Sequence, residues 1–205
     1  MDGRHLIRGR GRSAWVRTVP GRTVLAAARV SLEPWVCPPF TDAGTWGRFT
    51  AKVVRTSGCW IWTGAVSDGY GMFHNAANQL LGRRSATVRV SRFLWEAYNG
   101  QMAASHVVLH ECDTPLCVRY EPGTQHLSAG TQSANLQMAA ARDRITNGAH
   151  LGRADLRGQH QQSLAIRAAM LTAVAEGVTD PDRLAEILAA VIAKGDPHAT
   201  QGTLF

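Results

Sequence analysis

Five side chains able to do chemistry fall within one short stretch, Val107 to Gln137: His110, Cys112, Cys117, His126 and Asn135. Two of the chain's four cysteines lie there, each close to a histidine. Packing alone gives no reason for that combination. Thiolates and imidazoles are the ligands that zinc takes in tetrahedral structural sites. Cys112 and Cys117 are spaced C-x4-C in a loop that carries Pro115, and such a loop can fold around an ion. His126 follows, and Cys59 in Gly58-Cys59-Trp60 is the candidate for the fourth ligand. The spacing by itself is only moderately specific, and two plain buried thiols are the alternative. His110 is a fifth candidate, but a tetrahedral ion has no room for all five, so one histidine is left for other work. At the end of a strand, His110 suits a general base. Asn135, in the first turn of a following helix, offers an amide oxygen to a hard cation such as Mg²⁺.

These residues need elements to hold them. VVLH is apolar and β-branched, which predicts a strand ending at His110. ECDTPLCVRYEPGTQ reads as a loop and HLS as a second short strand. Thr131 or Ser133 can cap a helix over SANLQMAAARDRI, which ends before Asn147-Gly148. The order is strand, loop, strand, helix. Upstream, WGRFTAKVV has helical spacing at Trp46, Phe49 and Val53. GCWIWTG predicts a strand with Cys59 and Ile61 on one face and Trp60 and Trp62 on the other. Asp68-Gly69 and Gly71 mark a hairpin turn, and MFHNAANQLLGRRSATVRV supplies further strand-like pieces. VSRFLWEAYNG predicts a helix that turns Val90, Phe93, Leu94 and Ala97 to one side and stops at Gly100. Downstream, SLAIRAAMLTAVAEG and PDRLAEILAAVIAKG predict a helical hairpin with Pro181 at a first helical position.

The chain has 205 residues and a formal charge of +7, so a polyanion is the first partner to consider. The charge is uneven. From Asp155 onward four basic residues face six acids, a balance of −2, and the preceding 154 residues carry about +9. Residues 1–44, rich in Arg, Gly and Pro, read as a flexible basic arm able to track phosphates. An ordered domain is expected over 45–150, a helical region over 151–196 and an extended tail over 197–205. No apolar run is long enough for a membrane span, and the N-terminus has no apolar leader. A cytoplasmic setting is therefore expected, which argues against a disulfide framework for Cys37, Cys59, Cys112 and Cys117.

The ordered set of motifs resembles the HNH (His-Me finger, ββα-metal) endonucleases, in the zinc-stabilised branch similar to the His-Cys box homing enzymes. The residues that carry the resemblance are Cys59-Trp60-Ile61-Trp62-Thr63-Gly64, Gly69-Tyr70-Gly71, Ser91-Arg92, His110-Glu111-Cys112-Asp113-Thr114-Pro115-Leu116-Cys117, His126-Leu127 and Gly130-Thr131 with Asn135. They span roughly Trp46 to Gly148, half of the chain. The resemblance implies an α+β fold with a ββα-metal core, a small antiparallel sheet and a structural zinc, here with a C-terminal helical hairpin. It implies a metal-dependent DNA endonuclease of a bacterial or phage-infected cell. His110 would be its general base, Asn135 would hold the catalytic Mg²⁺, and Arg92 would neutralise a phosphate oxygen. Zinc at Cys59, Cys112, Cys117 and His126 would be structural, and Arg83, Arg84 and Arg89 would contact DNA phosphates. A non-catalytic zinc-stabilised DNA-binding protein derived from such a nuclease is the alternative.

Three departures from the family pattern matter. Eight residues separate Cys117 from His126, where the family usually has four. Leu109 stands where many members place an aspartate ahead of the histidine. Ser91 replaces a common histidine before Arg92. The tail carries a separate signal. Gln201-Gly202-Thr203-Leu204-Phe205 resembles the peptide by which bacterial proteins dock on the sliding clamp, with Gln201, Leu204 and Phe205 as anchors. Homodimerisation through the C-terminal helices is left open.

Overall fold

Aromatic side chains set the architecture. The computed structural model describes residues 35–77, 85–121, 124, 126–142 and 155–197. In it Trp62 and Phe49 are fully buried and stack with ring centroids 5.3 Å apart. Phe73 and Phe93 close on Phe49 at 5.4 and 4.9 Å. Truncating a buried aromatic to alanine costs ~3–5 kcal/mol, so this quartet governs where its neighbours sit.

Helix α1 (Ala43–Thr50) brings Trp46 and Phe49 into the core. Asp42 caps it by accepting from the Thr45 amide at 2.8 Å. The helix expected to run through Val53 stops at Thr50. Val53 instead opens strand β1 (Val53–Arg55), as two adjacent β-branched valines favour. Strand β1 pairs antiparallel with β2 (Trp60–Trp62), Val53 opposite Trp62. All three β2 residues are buried, so both of its faces are covered. Its other edge is covered too. The Trp62 amide donates to the Leu116 carbonyl at 2.9 Å, and the Val118 amide to the Trp60 carbonyl at 2.7 Å.

Strands β3 (Ala65–Ser67) and β4 (Tyr70–His74) form the expected hairpin. Asp68 and Gly69 at its turn have φ of 50° and 82°, the left-handed pair that a type I′ turn requires. Gly71 on β4 lies against Trp62, and a Cβ there would stand 2.5 Å from the indole. Strand β5 (Thr87–Arg89) pairs with β4 and leads into α2 (Val90–Asn99). Val90, Phe93, Leu94 and Ala97 of α2 are buried, and Gly100 ends the helix at φ 83°. Strands β6 (His106–His110) and β7 (Leu127–Thr131) pair antiparallel, with His110 opposite Leu127. Helix α3 (Gln132–Ala141) follows, capped by Thr131, whose hydroxyl accepts from the Ala134 amide at 3.2 Å. The fold is thus α+β, with small antiparallel sheets of two, three and two strands among the described residues.

Helices α4 (Gln159–Ala175) and α5 (Pro181–Ala193) form the predicted hairpin. The C-terminal helical hairpin shares its core with the preceding elements. Ile166, Met170, Leu184 and Leu188 belong to the same buried cluster as Trp62 and Leu116. An amphipathic hairpin of this size has no core of its own and must bury its stripe on something larger. Trp35, ahead of α1, packs against the same core. Trp35 packs edge-on against Trp46 and Trp60 at 4.6 and 4.5 Å, and its indole N–H donates to the Tyr98 hydroxyl at 2.7 Å. Residues 1–34, Arg83 and Arg84, and the tail anchors Gln201, Leu204 and Phe205 lie outside the described residues. No described helix is long and apolar enough to cross a membrane.

Candidate metal centre and adjoining cleft

Cys59, Cys112, Cys117 and His126 converge, with their ligand atoms all within 4.8 Å of one another. The Nδ1 atom of His126 lies 3.6 Å from the Cys59 sulfur and 3.5 Å from the Cys117 sulfur. Zn–S bonds of ~2.3 Å and Zn–N bonds of ~2.0–2.1 Å at tetrahedral angles put nitrogen and sulfur ~3.5 Å apart. The four residues could therefore hold a metal ion, and the geometry is compatible with structural zinc. All three cysteines are free thiols rather than disulfides.

Local backbone geometry explains how they meet. Asp113 takes a left-handed φ of 56°, and the Cys117 amide donates to the Thr114 carbonyl at 2.9 Å, which curls CDTPLC into a knuckle. The bridge between Ile61 and Cys117 lays that knuckle along β2, one residue beyond Trp60 and two beyond Cys59. His126 reaches the cluster although eight residues separate it from Cys117. The His126 amide donates to the Arg119 carbonyl at 2.9 Å.

Electrostatics favour a cation at this place. Hydrogen bonds from Cys117 and Cys59 hold the Cys112 thiol far below its ordinary range. The same contact with Cys112 pushes Cys59 up to about 12. Burial, more than any neighbour, pushes Cys117 up. One thiolate thus suppresses the others, and a divalent ion removes the conflict by supplying the missing positive charge.

A cleft of about 270 Å³ opens beside the metal cluster. His110, Asn135, Arg89 and Arg92 all line it, together with Asp113, Tyr70, Gln132 and Gln159. His110, Val108 and His106 alternate along β6 and so share a face of the strand, while Leu109 points the other way and is buried. Asn135 enters from the first turn of α3. Arg89 is exposed, with its guanidinium 3.8 Å from the centre of the Tyr70 ring.

Arg92 lines the cleft, and much of its guanidinium is engaged by the protein itself. Its Nε donates to Glu96 at 3.0 Å, and its two terminal nitrogens reach the carbonyls of His106, Met102 and Ala103. Arg92 ties α2 to the chain entering β6, a positioning task that occupies most of its five N–H donors.

Three residues not singled out in the sequence prove central to the geometry. Arg119 donates through one nitrogen to the carbonyls of Ser57 and Gly58 at 2.8 and 2.6 Å, immediately ahead of Cys59. Arg142, at the end of α3, bonds the Asp113 carboxylate at 2.8 Å, the Glu111 carboxylate at 3.1 Å and the Glu111 carbonyl at 3.1 Å. Asp113 brings a carboxylate into the cleft. Its place in Cys-Asp-x-Pro was the one available signal; the two arginines act through long side chains whose targets no spacing reveals.

No family model matches the chain, and no solved structure matches it. The chain is similar to Protein 2.8 of Escherichia phage T7. The two are 36% identical over 83 residues, which is 40% of this chain and 49% of that protein. The chain thus spans about half the length of the curated relative it matches.

Proposed function

We propose that the protein is a metal-dependent DNA endonuclease of the HNH (ββα-metal) type, with zinc as the structural ion. The observation that carries this reading is the shared cleft. His110 from β6 and Asn135 from α3 line one pocket, and the loop between β6 and β7 is gathered by the Cys59, Cys112, Cys117 and His126 cluster. A net charge of +7 suits a polyanionic substrate.

The donor set fits a hard divalent cation such as Mg²⁺. Asn135 offers an amide oxygen and Asp113 a carboxylate, both lining the cleft. Leu109 leaves the position before His110 without an acid, and Asp113 is a carboxylate that lines the same cleft while Arg142 bonds it at 2.8 Å. When bound, such a cation supplies Lewis-acid stabilisation of charge on the phosphate and the leaving oxygen. The chain's own residues do the rest. His110 accepts a proton from water at Nδ1, its Nε2 atom being buried. The water oxygen forms a bond to phosphorus as the bond from phosphorus to the 3′-oxygen breaks. Arg142, through Asp113 and Glu111, holds the loop and α3 in one geometry. Arg89 meets the phosphate backbone at the rim. Zinc takes no part in the reaction and fixes the loop that carries His110.

The test is a His110→Ala variant assayed on plasmid and linear DNA with Mg²⁺. Cleavage should fall by at least about 100-fold, as loss of a general base does, while DNA binding stays within a few-fold of wild type. Undiminished cleavage by the variant would sink the assignment. A wild-type protein that binds DNA with a steep salt dependence and never cuts it would instead establish the non-catalytic alternative.

A further inference from the structure

The first turn of α4 sits at the cleft, and it is held there firmly. The Gly69 amide at the β3–β4 turn donates to His160 Nδ1 at 3.1 Å, and the Ser163 hydroxyl donates to the Gly69 carbonyl at 2.6 Å. Both polar groups of one turn residue are thus satisfied by α4. Ser163, Ile166 and Met170 are fully buried below that contact, and Arg167 Nε donates to the Thr63 carbonyl at 2.9 Å. Gly69 also makes room for the helix. A Cβ at this position would lie 2.7 Å from Gln159 Cγ and 3.0 Å from the Gln159 carbonyl oxygen, quite apart from its φ of 82°. Gln159 itself is exposed and lines the cleft with His110 and Asn135.

From this arrangement we infer that Gln159 is a specificity-determining residue that contacts nucleic acid beside the scissile phosphate, and that α4 is one wall of the substrate surface. The inference rests on the nuclease reading of the cleft. Charge decides which kind of contact Gln159 makes. Its amide is neutral and carries both donors and an acceptor, so it cannot neutralise a phosphate but can pair with a base edge. Helix α4 carries Arg167 as its one formal charge, and that side chain bonds the Thr63 carbonyl, so this wall adds little to general attraction for DNA. Choice among sequences, rather than affinity, is what such a residue controls. The rigid dock matters for the same reason: an amide on a mobile helix would read nothing reproducibly.

The experiment uses the full zinc-loaded chain and Gln159→Ala and Gln159→Glu variants. Products from a randomised DNA pool are sequenced, and binding to a fluorescein-labelled random duplex is followed by anisotropy. Gln159→Ala should bind with at most about threefold weaker affinity, because phosphate contacts dominate binding. Its base preference at one position flanking the cut should flatten by roughly tenfold. Gln159→Glu, which replaces the amide's donors with an acceptor-only carboxylate and adds a negative charge at the DNA surface, should bind markedly more weakly. Both variants should melt as the wild type does, since the side chain is exposed. Cleavage patterns and affinities equal to wild type in both variants overturn the inference while leaving the nuclease reading intact. A wild-type protein that neither binds nor cuts DNA overturns the nuclease reading and this inference with it.

Discussion

Replacing Arg119 with alanine should loosen the metal site although Arg119 touches no ligand atom. Its side chain bonds the carbonyls of Ser57 and Gly58 at 2.8 and 2.6 Å, just before Cys59. Its own carbonyl accepts from the amide of His126, and it lies two residues beyond Cys117. Arg119 therefore links the strand that delivers one ligand to the loop that delivers the others. Its ion pair with Glu121, at 3.2 Å, is partly solvated and contributes little. A hydrogen bond from a charged donor is worth ~1.5–3 kcal/mol. Ser57 is exposed and its carbonyl regains water once the guanidinium is gone, so the combined loss falls at ~2–3 kcal/mol. Expressed in metal binding at 1.4 kcal/mol per tenfold, that is a weakening of roughly 30- to 150-fold. Removal of a group supporting a metal ligand costs a similar ~10–100-fold. Competition against a chromogenic zinc chelator measures it directly, with thermal melting of the zinc-loaded forms alongside. Arg119→Lys, which keeps the charge but not the fork, should recover only part of the affinity. Zinc affinity of Arg119→Ala within about threefold of wild type would refute the argument.

Two further outcomes follow from the same geometry. Cys117→Ser should abolish stoichiometric zinc binding and cooperative melting, because Cys117 is fully buried at the meeting point of the knuckle and β2. Atomic absorption and circular dichroism read this, and a zinc-replete variant with wild-type melting would remove Cys117 from the ligand set. Asp155 accepts from Arg157 Nε at 2.9 Å and Nη2 at 2.6 Å, which holds its carboxyl below the ordinary range and orients Arg157 toward the Val191 carbonyl of the C-terminal hairpin at 3.0 Å. A depressed folded-state pKa means that the stabilisation is complete above about pH 4 and fades as the pH falls through the folded value. Asp155→Asn should therefore melt below wild type at pH 7 and converge with it in acid. A gap in melting temperature that persists undiminished at low pH would show that the carboxylate charge is irrelevant.

The sequence made some elements legible for plain physical reasons. Asp68-Gly69 announced its turn because few residues tolerate two successive left-handed conformations. Gly100 marked the end of α2 in the same way. Cys112, Cys117, His126 and Cys59 stood out because thiols and imidazoles in register have few other uses. What stayed hidden depends on contacts distant in sequence. The covering of β2 by residues 116–118 uses backbone hydrogen bonds, which leave no mark on side-chain periodicity. The docking of α4 on Gly69 depends on His160 and Ser163, ninety-odd residues away. Arg92 was legible as a conspicuous arginine but not as a clamp, since its carbonyl partners come from a loop of no distinctive composition.

The two edges of β2 have a consequence for the order in which the chain assembles. Cys117 and His126 lie nine residues apart, whereas Cys59 and His126 are 67 apart. Closing chain segments of those lengths removes about 2.5 and about 4 kcal/mol of chain entropy respectively from the unfolded ensemble. Cys112, Cys117 and His126 can therefore gather on an ion early, as a local unit. Cys59 stands beside β2, which the aromatic core holds, and would complete the set across the longer loop. An ion held by the four residues would clasp a core packed on its own aromatic residues to a hairpin that has few buried residues to hold it. Withdrawal of the ion should release β6, β7 and α3 to rapid amide exchange while β1, β2 and α2 remain protected, which makes the cleft's own walls the first part of the molecule to open.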